Sequence, residues 1–129
     1  MSFSTTTLAN PTGSKLHKVT PASGSGSADG QEDQLNSGAT DLAQVHIDNT
    51  ANASATAFVK LWNNTASNVT VGTTAPNMIL PCPGGSTITY NFPQETSFAN
   101  GCTIAAVTTG GTGGTTRMTN AITVYVLQG

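Results

Sequence analysis

The chain has 129 residues, only 8% of them charged, and a formal net charge of -2. Four basic residues (Lys15, Lys18, Lys60 and Arg117) cannot make the basic face that nucleic-acid binding requires, and no apolar run approaches the length of a membrane-spanning helix. Threonine alone occurs 23 times, so short hydroxyls stand where lysine and glutamate usually do, and such a surface loses little side-chain entropy when another protein covers it.

In chain order, residues 1 to about 40 contain Pro11, Pro21, a Gly-Ser-Gly-Ser run from Ser23 to Ser27 and acids at Asp29, Glu32 and Asp33. The first ten residues lack the basic start and apolar core of a secretory signal. A segment of this composition cannot bury enough apolar surface to offset its own ordering. It reads as an extended N-terminal arm, residues 1–40, lying along a neighbouring subunit. Phe3, Leu8, Leu16 and Val19 would anchor it, and Lys15, His17 and Lys18 would form its one basic spot.

The pattern changes at Asp41, where a folded domain of residues 41–129 is expected to begin. Ala43, Val45 and Ile47 alternate with Gln44, His46 and Asp48, the period-2 signature of a half-buried strand. In the next strand Val59 and Leu61 are assigned to the core. Phe58 and Trp62, on the other face with Lys60, are then covered by the arm or a neighbour, and the reverse assignment fits nearly as well. A polar connection follows, with a short strand or bulge expected at Val69 to Val71.

Met78 to Phe92 reads as two strands joined at Gly84-Gly85, the first confined to an edge or corner by Pro81 and Pro83 and the second carrying Ile88, Tyr90 and Phe92 inward until Pro93 ends it. Cys102, Ile104 and Ala106 mark the next strand. The run Gly110-Gly-Thr-Gly-Gly is read as a mobile loop rather than a phosphate cradle, since the Gly-Lys-Ser/Thr ending is missing. The last strand places Ile122, Val124 and Val126 on one side and Tyr125 and Leu127 on the other. Apolar residues on both sides suit a central strand or a strand that meets a partner. About seven strands and no 3.6-residue periodicity imply an all-β fold, an antiparallel β-sandwich of jelly-roll or Greek-key type.

Candidate chemistry is sparse. His46 and Asp48 share a strand face but have no accompanying nucleophile, and Asp41, Asp48 and Glu95 are too scattered for a carboxylate pair. Cys82 and Cys102 occupy inward positions, as buried thiols or as a disulfide. The sequence therefore proposes no catalytic, cofactor or metal site. Three Asn-x-Ser/Thr sites begin at Asn52, Asn63 and Asn68. Trp62 with Phe58 or Tyr125 could instead form the aromatic platform of a carbohydrate-binding module.

Four stretches carry a resemblance: Phe58-Val-Lys-Leu-Trp-Asn, Val71-Gly-Thr-Thr-Ala-Pro, Leu80-Pro-Cys-Pro-Gly-Gly-Ser-Thr-Ile-Thr, and Phe98-Ala-Asn-Gly-Cys-Thr-Ile-Ala-Ala-Val-Thr-Thr-Gly. Across roughly residues 45 to 129 the chain resembles small virion proteins of tailed bacteriophages, most closely head decoration (cement) proteins. That resemblance implies a structural protein of the capsid surface, a trimer seated on the major capsid protein, with a tail or fibre component as the other possibility. Phe3, Leu8, Leu16, Val19, Phe58, Trp62 and Tyr125 are the expected partner contacts.

Overall fold

A computed structural model describes residues 5–9 and 15–129 of the chain. Among these residues nine strands occur: β1 (Thr5–Ala9), β2 (Lys15–Val19), β3 (Asp33–Asn36), β4 (Thr40–Asp48), β5 (Ala57–Trp62), β6 (Met78–Cys82), β7 (Thr87–Phe98), β8 (Cys102–Val107) and β9 (Thr123–Gln128). They form two antiparallel sheets, one ordered β1-β2-β9-β4-β7 and the other β3-β8-β5-β6. With β1 set aside, the eight strands β2 to β9 fill two four-stranded sheets in the order and connectivity of a jelly roll, a pair of interlocked Greek keys.

The all-β sandwich is as expected, but the boundary near residue 40 moves. Two stretches of the segment read as an arm, β2 and β3, lie in the domain's own sheets, and the residues between them are bridged to the 116–118 stretch. β2 pairs with β9 through five residue pairs, Lys15–Gln128 to Val19–Val124, and β3 pairs with β8. Val19 is fully buried in the core and His17 nearly so, its Nε2 lying 3.0 Å from Gln128 Oε1. The composition argument fails here because β2 and β3 need no core of their own; they complete one formed by distant strands.

The core between the sheets is built from Leu42, Val45 and Ile47 of β4, Val59 and Leu61 of β5, Leu80 and Cys82 of β6, Cys102, Ile104 and Ala106 of β8, and Val124 and Val126 of β9. A register shift between Leu42 and Gln44 makes Leu42, not Ala43, the third core residue of β4. Both cysteines are free and buried, and burial pushes the Cys102 thiol up to about 12. A second, smaller cluster lies on the outer face of the four-stranded sheet, where Trp62, Ala105 and Val107 meet Ala28, Val69 and Val71. Val69 and Val71 reach it from a connection that holds a 3-10 turn at Ala66–Asn68 rather than a strand.

The Met78–Phe92 stretch is not a hairpin. β6 pairs with β5 and β7 with β4, so the glycine turn carries the chain from one sheet to the other. Its turn docks on the 49–55 loop: Gly85 N donates to Asn49 O and Asn52 O, and Asn49 N donates to Ser86 O. Gly85 has a φ of 72°, whereas Gly84 is required by contact, since a Cβ there would lie 2.5 Å from the Ser54 carbonyl carbon. β7 also runs past Pro93 to Phe98. One residue of β4, Ala43, lies opposite the four residues Phe92 to Glu95, a bulge that accommodates Pro93 at the sheet edge.

Asn49 fastens this corner. Its side-chain nitrogen donates to Ala55 O (2.9 Å), Cys82 O (3.1 Å) and Pro83 O (3.3 Å), and its Oδ1 accepts from Asn52 Nδ2 (2.9 Å). Asn52 is buried too and donates again to Asn120 O, so this glycosylation-like asparagine spends its amide inside the fold. Asn49→Ala leaves buried carbonyls unpaired and is expected to cost about 3 kcal/mol, measured as a fall in the urea midpoint at unchanged m-value.

β3 carries a buried acid. Asp33 is fully buried opposite Ile104, and both its carboxylate oxygens lack hydrogen-bond partners. Desolvation, and secondarily the charge of Glu32, pushes its pKa up to about 7 from 3.8. The folded state therefore holds a proton that the unfolded state releases. This contribution to stability is complete below the unfolded value and is lost as pH rises through the folded one, a swing of roughly 4 kcal/mol. Wild-type Tm is expected to fall between about pH 4 and about pH 8, while Asp33→Asn flattens that slope and melts higher than wild type at the alkaline end.

Candidate functional site: an uncovered sheet face

The two outer faces of the sandwich differ. Outside the four-stranded sheet, Trp62 is 1% exposed and its indole Nε1 donates to Thr74 O at 2.9 Å. Lys60, between Phe58 and Trp62, is fully buried with Nζ donating to Gly114 O at 2.9 Å, and desolvation lowers its pKa. That bond holds the glycine-rich loop down, helped by Thr108 N to Thr116 O and by a bridge between Ser27 and Thr116. The chain's own loops therefore cover this face, and segment 23–29 of the expected arm contributes Ala28 to the cover.

The outer face of the five-stranded sheet has no such cover among the described residues. Side chains opposite one another in register point to the same side of a sheet. Because Val124, Val126, Val45 and Ile47 point inward, their strand neighbours form outward rows. One row runs Leu16, Leu127, Gln44, Asn91 across β2, β9, β4 and β7. The next runs Lys18, Tyr125, His46, Thr89, and a third runs Thr123, Asp48, Thr87. Leu8 stands opposite Leu16 in the β1–β2 register.

Cross-strand contacts tie the rows together. Gln44 Nε2 donates to Asn91 Oδ1 at 2.9 Å, His46 Nδ1 lies 2.6 Å from Thr89 Oγ1, and the His46 and Tyr125 rings have centroids 6.0 Å apart. Asp48 does not engage His46 by hydrogen bond. Its Oδ1 accepts from the hydroxyl (2.6 Å) and backbone N (3.0 Å) of Thr50, and these bonds hold its pKa below the usual value. The His46–Asp48 pair is therefore part of a polar surface lattice. In these three rows Lys18 and Asp48 carry the formal charges, and Leu16, Leu127 and Tyr125 supply half-buried apolar area.

Of the expected partner contacts, Leu16 and Tyr125 come together on this face, with Leu8 beside them in register. Val19 and Trp62 do not belong to any surface; they are buried on opposite sides of the four-stranded sheet, in the main core and in the outer cluster. Phe58 packs against that outer cluster, and Phe3 lies outside the described residues. Residues not singled out by sequence, Leu127, Gln44, Asn91 and Thr89, complete the face. Leu127 was signalled by its alternation with Tyr125, whereas the polar members could be found only from strand order. Among the described residues no group of three or more His, Cys, Asp or Glu side chains is placed to hold a metal ion.

No protein-family model matches the chain, and no curated protein matches it in sequence.

Proposed function

We propose that the chain is a non-enzymatic structural protein of a tailed-phage virion, a head decoration (cement) protein that covers the major capsid protein at the capsid surface. The observation that carries this reading is the asymmetry of the sandwich: one outer face is covered by the chain's own loops, and the other, without such a cover among the described residues, presents Leu16, Tyr125 and Leu127 beside one charge of each sign, Lys18 and Asp48. Such a face loses little entropy on being covered, and many copies on a lattice add their weak contacts. The fold agrees with this reading without establishing it, since jelly rolls serve many functions. The motif resemblance to virion proteins supports it independently.

The test uses purified heads that lack the chain. Added protein is expected to co-sediment with them to saturation and to raise their melting temperature, and Leu16→Glu/Leu127→Glu is expected to lose both effects while retaining the wild-type fold by circular dichroism. Failure of the wild type to co-sediment, or full binding by the double variant, would overturn the proposal.

A further inference from the structure

The four sheet edges are not equally protected. β6 carries Pro81, β3 spans four residues, and β1 lies at the far side of the larger sheet. Among the described residues β7 is the longest strand and pairs only with β4, and it has no charged residue from Thr87 to Gln94. The last regular pair before its bulge is Gln44–Asn91 and the bulge runs from Phe92 to Glu95, so Thr87–Asn91 is a straight, uncharged edge with Phe92 at its end. Natural sheets usually guard such an edge with a lysine, a proline or a cover. Along it Ile88, Tyr90 and Phe92 are only half-buried against the core, although their strand positions point inward.

We infer that this edge is an interface between two copies of the chain, β7 pairing antiparallel with β7 of a second copy about a two-fold axis at Tyr90. The sequence of the edge selects this occupant and register. In a continuous sheet, opposed residues must share a face, so the register of a strand with itself is centred on a residue rather than on a peptide bond. Centring on Tyr90 sets Ile88 of each copy against Phe92 of the other and Tyr90 against Tyr90, so all three half-buried apolar residues gain cover. Centring on Thr89 leaves Phe92 opposite Ser86. On the outer side the Tyr90 register sets Thr89 against Asn91, and no charge meets a like charge anywhere in the pairing. The shallow hollow of about 420 Å³ lined by Asn91 to Thr96 flanks the seam. The product is a ten-stranded sheet whose outward rows run unbroken from one copy into the other. This inference does not rest on the capsid reading, and it puts a two-fold pair in place of the trimer that the resemblance implies.

The test is the solution mass of the full chain by light scattering at tens of micromolar, together with two exposed charge variants. Wild type is expected at about 26 kDa, twice the 13.0 kDa chain. T89K/N91K places like charges opposite each other on both sides of the axis and is expected to run as a monomer. T89K/N91E places opposite charges there and is expected to run as a dimer again. Neither position is buried, so both variants should keep wild-type circular dichroism. A monomeric or trimeric wild type, or a T89K/N91K variant as dimeric as wild type, overturns the interface. A monomer that still binds heads would overturn this interface alone and leave the capsid reading standing.

Discussion

Deletion of residues 1–36 is expected to abolish folding, whereas deletion of residues 1–14 leaves a folded, cooperatively melting protein. The longer deletion removes β2 and β3, one strand from each four-stranded half of the jelly roll. It strips β9 of its β2 neighbour, exposing Val124 and Val126 where Val19 and His17 had lain, and it frees the edge of β8 that carries Ile104. A domain of this size has a net stability of about 5–15 kcal/mol. Losing two core-lining strands exceeds that margin. Near-ultraviolet circular dichroism and a urea melt of the two truncated chains make the comparison, and a cooperative transition in the longer deletion would show that β2 and β3 are appendages.

Trp62→Ala is expected to be the most damaging single substitution. The side chain is 1% exposed, and it packs with Ala28, Val69, Val71, Ala105 and Val107 while its indole nitrogen holds the carbonyl of Thr74. Removing a buried tryptophan typically costs about 3–5 kcal/mol. Here it also unfastens the connection from Asn63 to Asn77 by deleting its anchor. The readout is the thermal midpoint, with Tyr125→Ala as the comparison, because a half-exposed residue on the uncovered face should change stability by about 1 kcal/mol or less. This contrast bears on the glycan-platform reading as well. A loss of sugar binding on Trp62→Ala would report unfolding, so Tyr125 is the aromatic to change in any such assay.

Much of this architecture was legible in the chain because alternation survives wherever one face is buried. Val45 and Ile47, Val59 and Leu61, and Ile104 and Ala106 occupy the inward positions their spacing predicts, and of the two sides of the last strand the one with Val124 and Val126 is the inner one. β9 lies in the middle of its sheet, one of the two readings that apolar residues on both of its sides allow. What stayed hidden depends on partners remote in sequence. β2 and β3 are short and polar, and they become strands because β9 and β8 offer unpaired edges more than sixty residues later. The glycine turn at Gly84 looked like a hairpin because turn chemistry reports a reversal, not which sheet receives the next strand. The buried Asn49 network, whose members lie at 49, 52 and 120, fastens the crossing.

The candidate site was half visible for the same reason. Leu16 and Tyr125 were recognised as apolar residues in need of a cover, but their adjacency comes from the β2–β9 register. Trp62 and Phe58 needed a cover as well and received it from loops of the same chain, among them the polar stretch that contributes Val69 and Val71. Composition identified surfaces that lose little on being covered; strand order decided which of them was left bare.

Electron cryo-microscopy of capsids incubated with the protein tests the functional account most directly. The account predicts added density on the capsid surface into which the jelly roll fits with the rows containing Leu16, Tyr125 and Leu127 against the lattice and the loop-covered face turned outward. Capsids without added density, or with the protein seated through its loop-covered face, would contradict it.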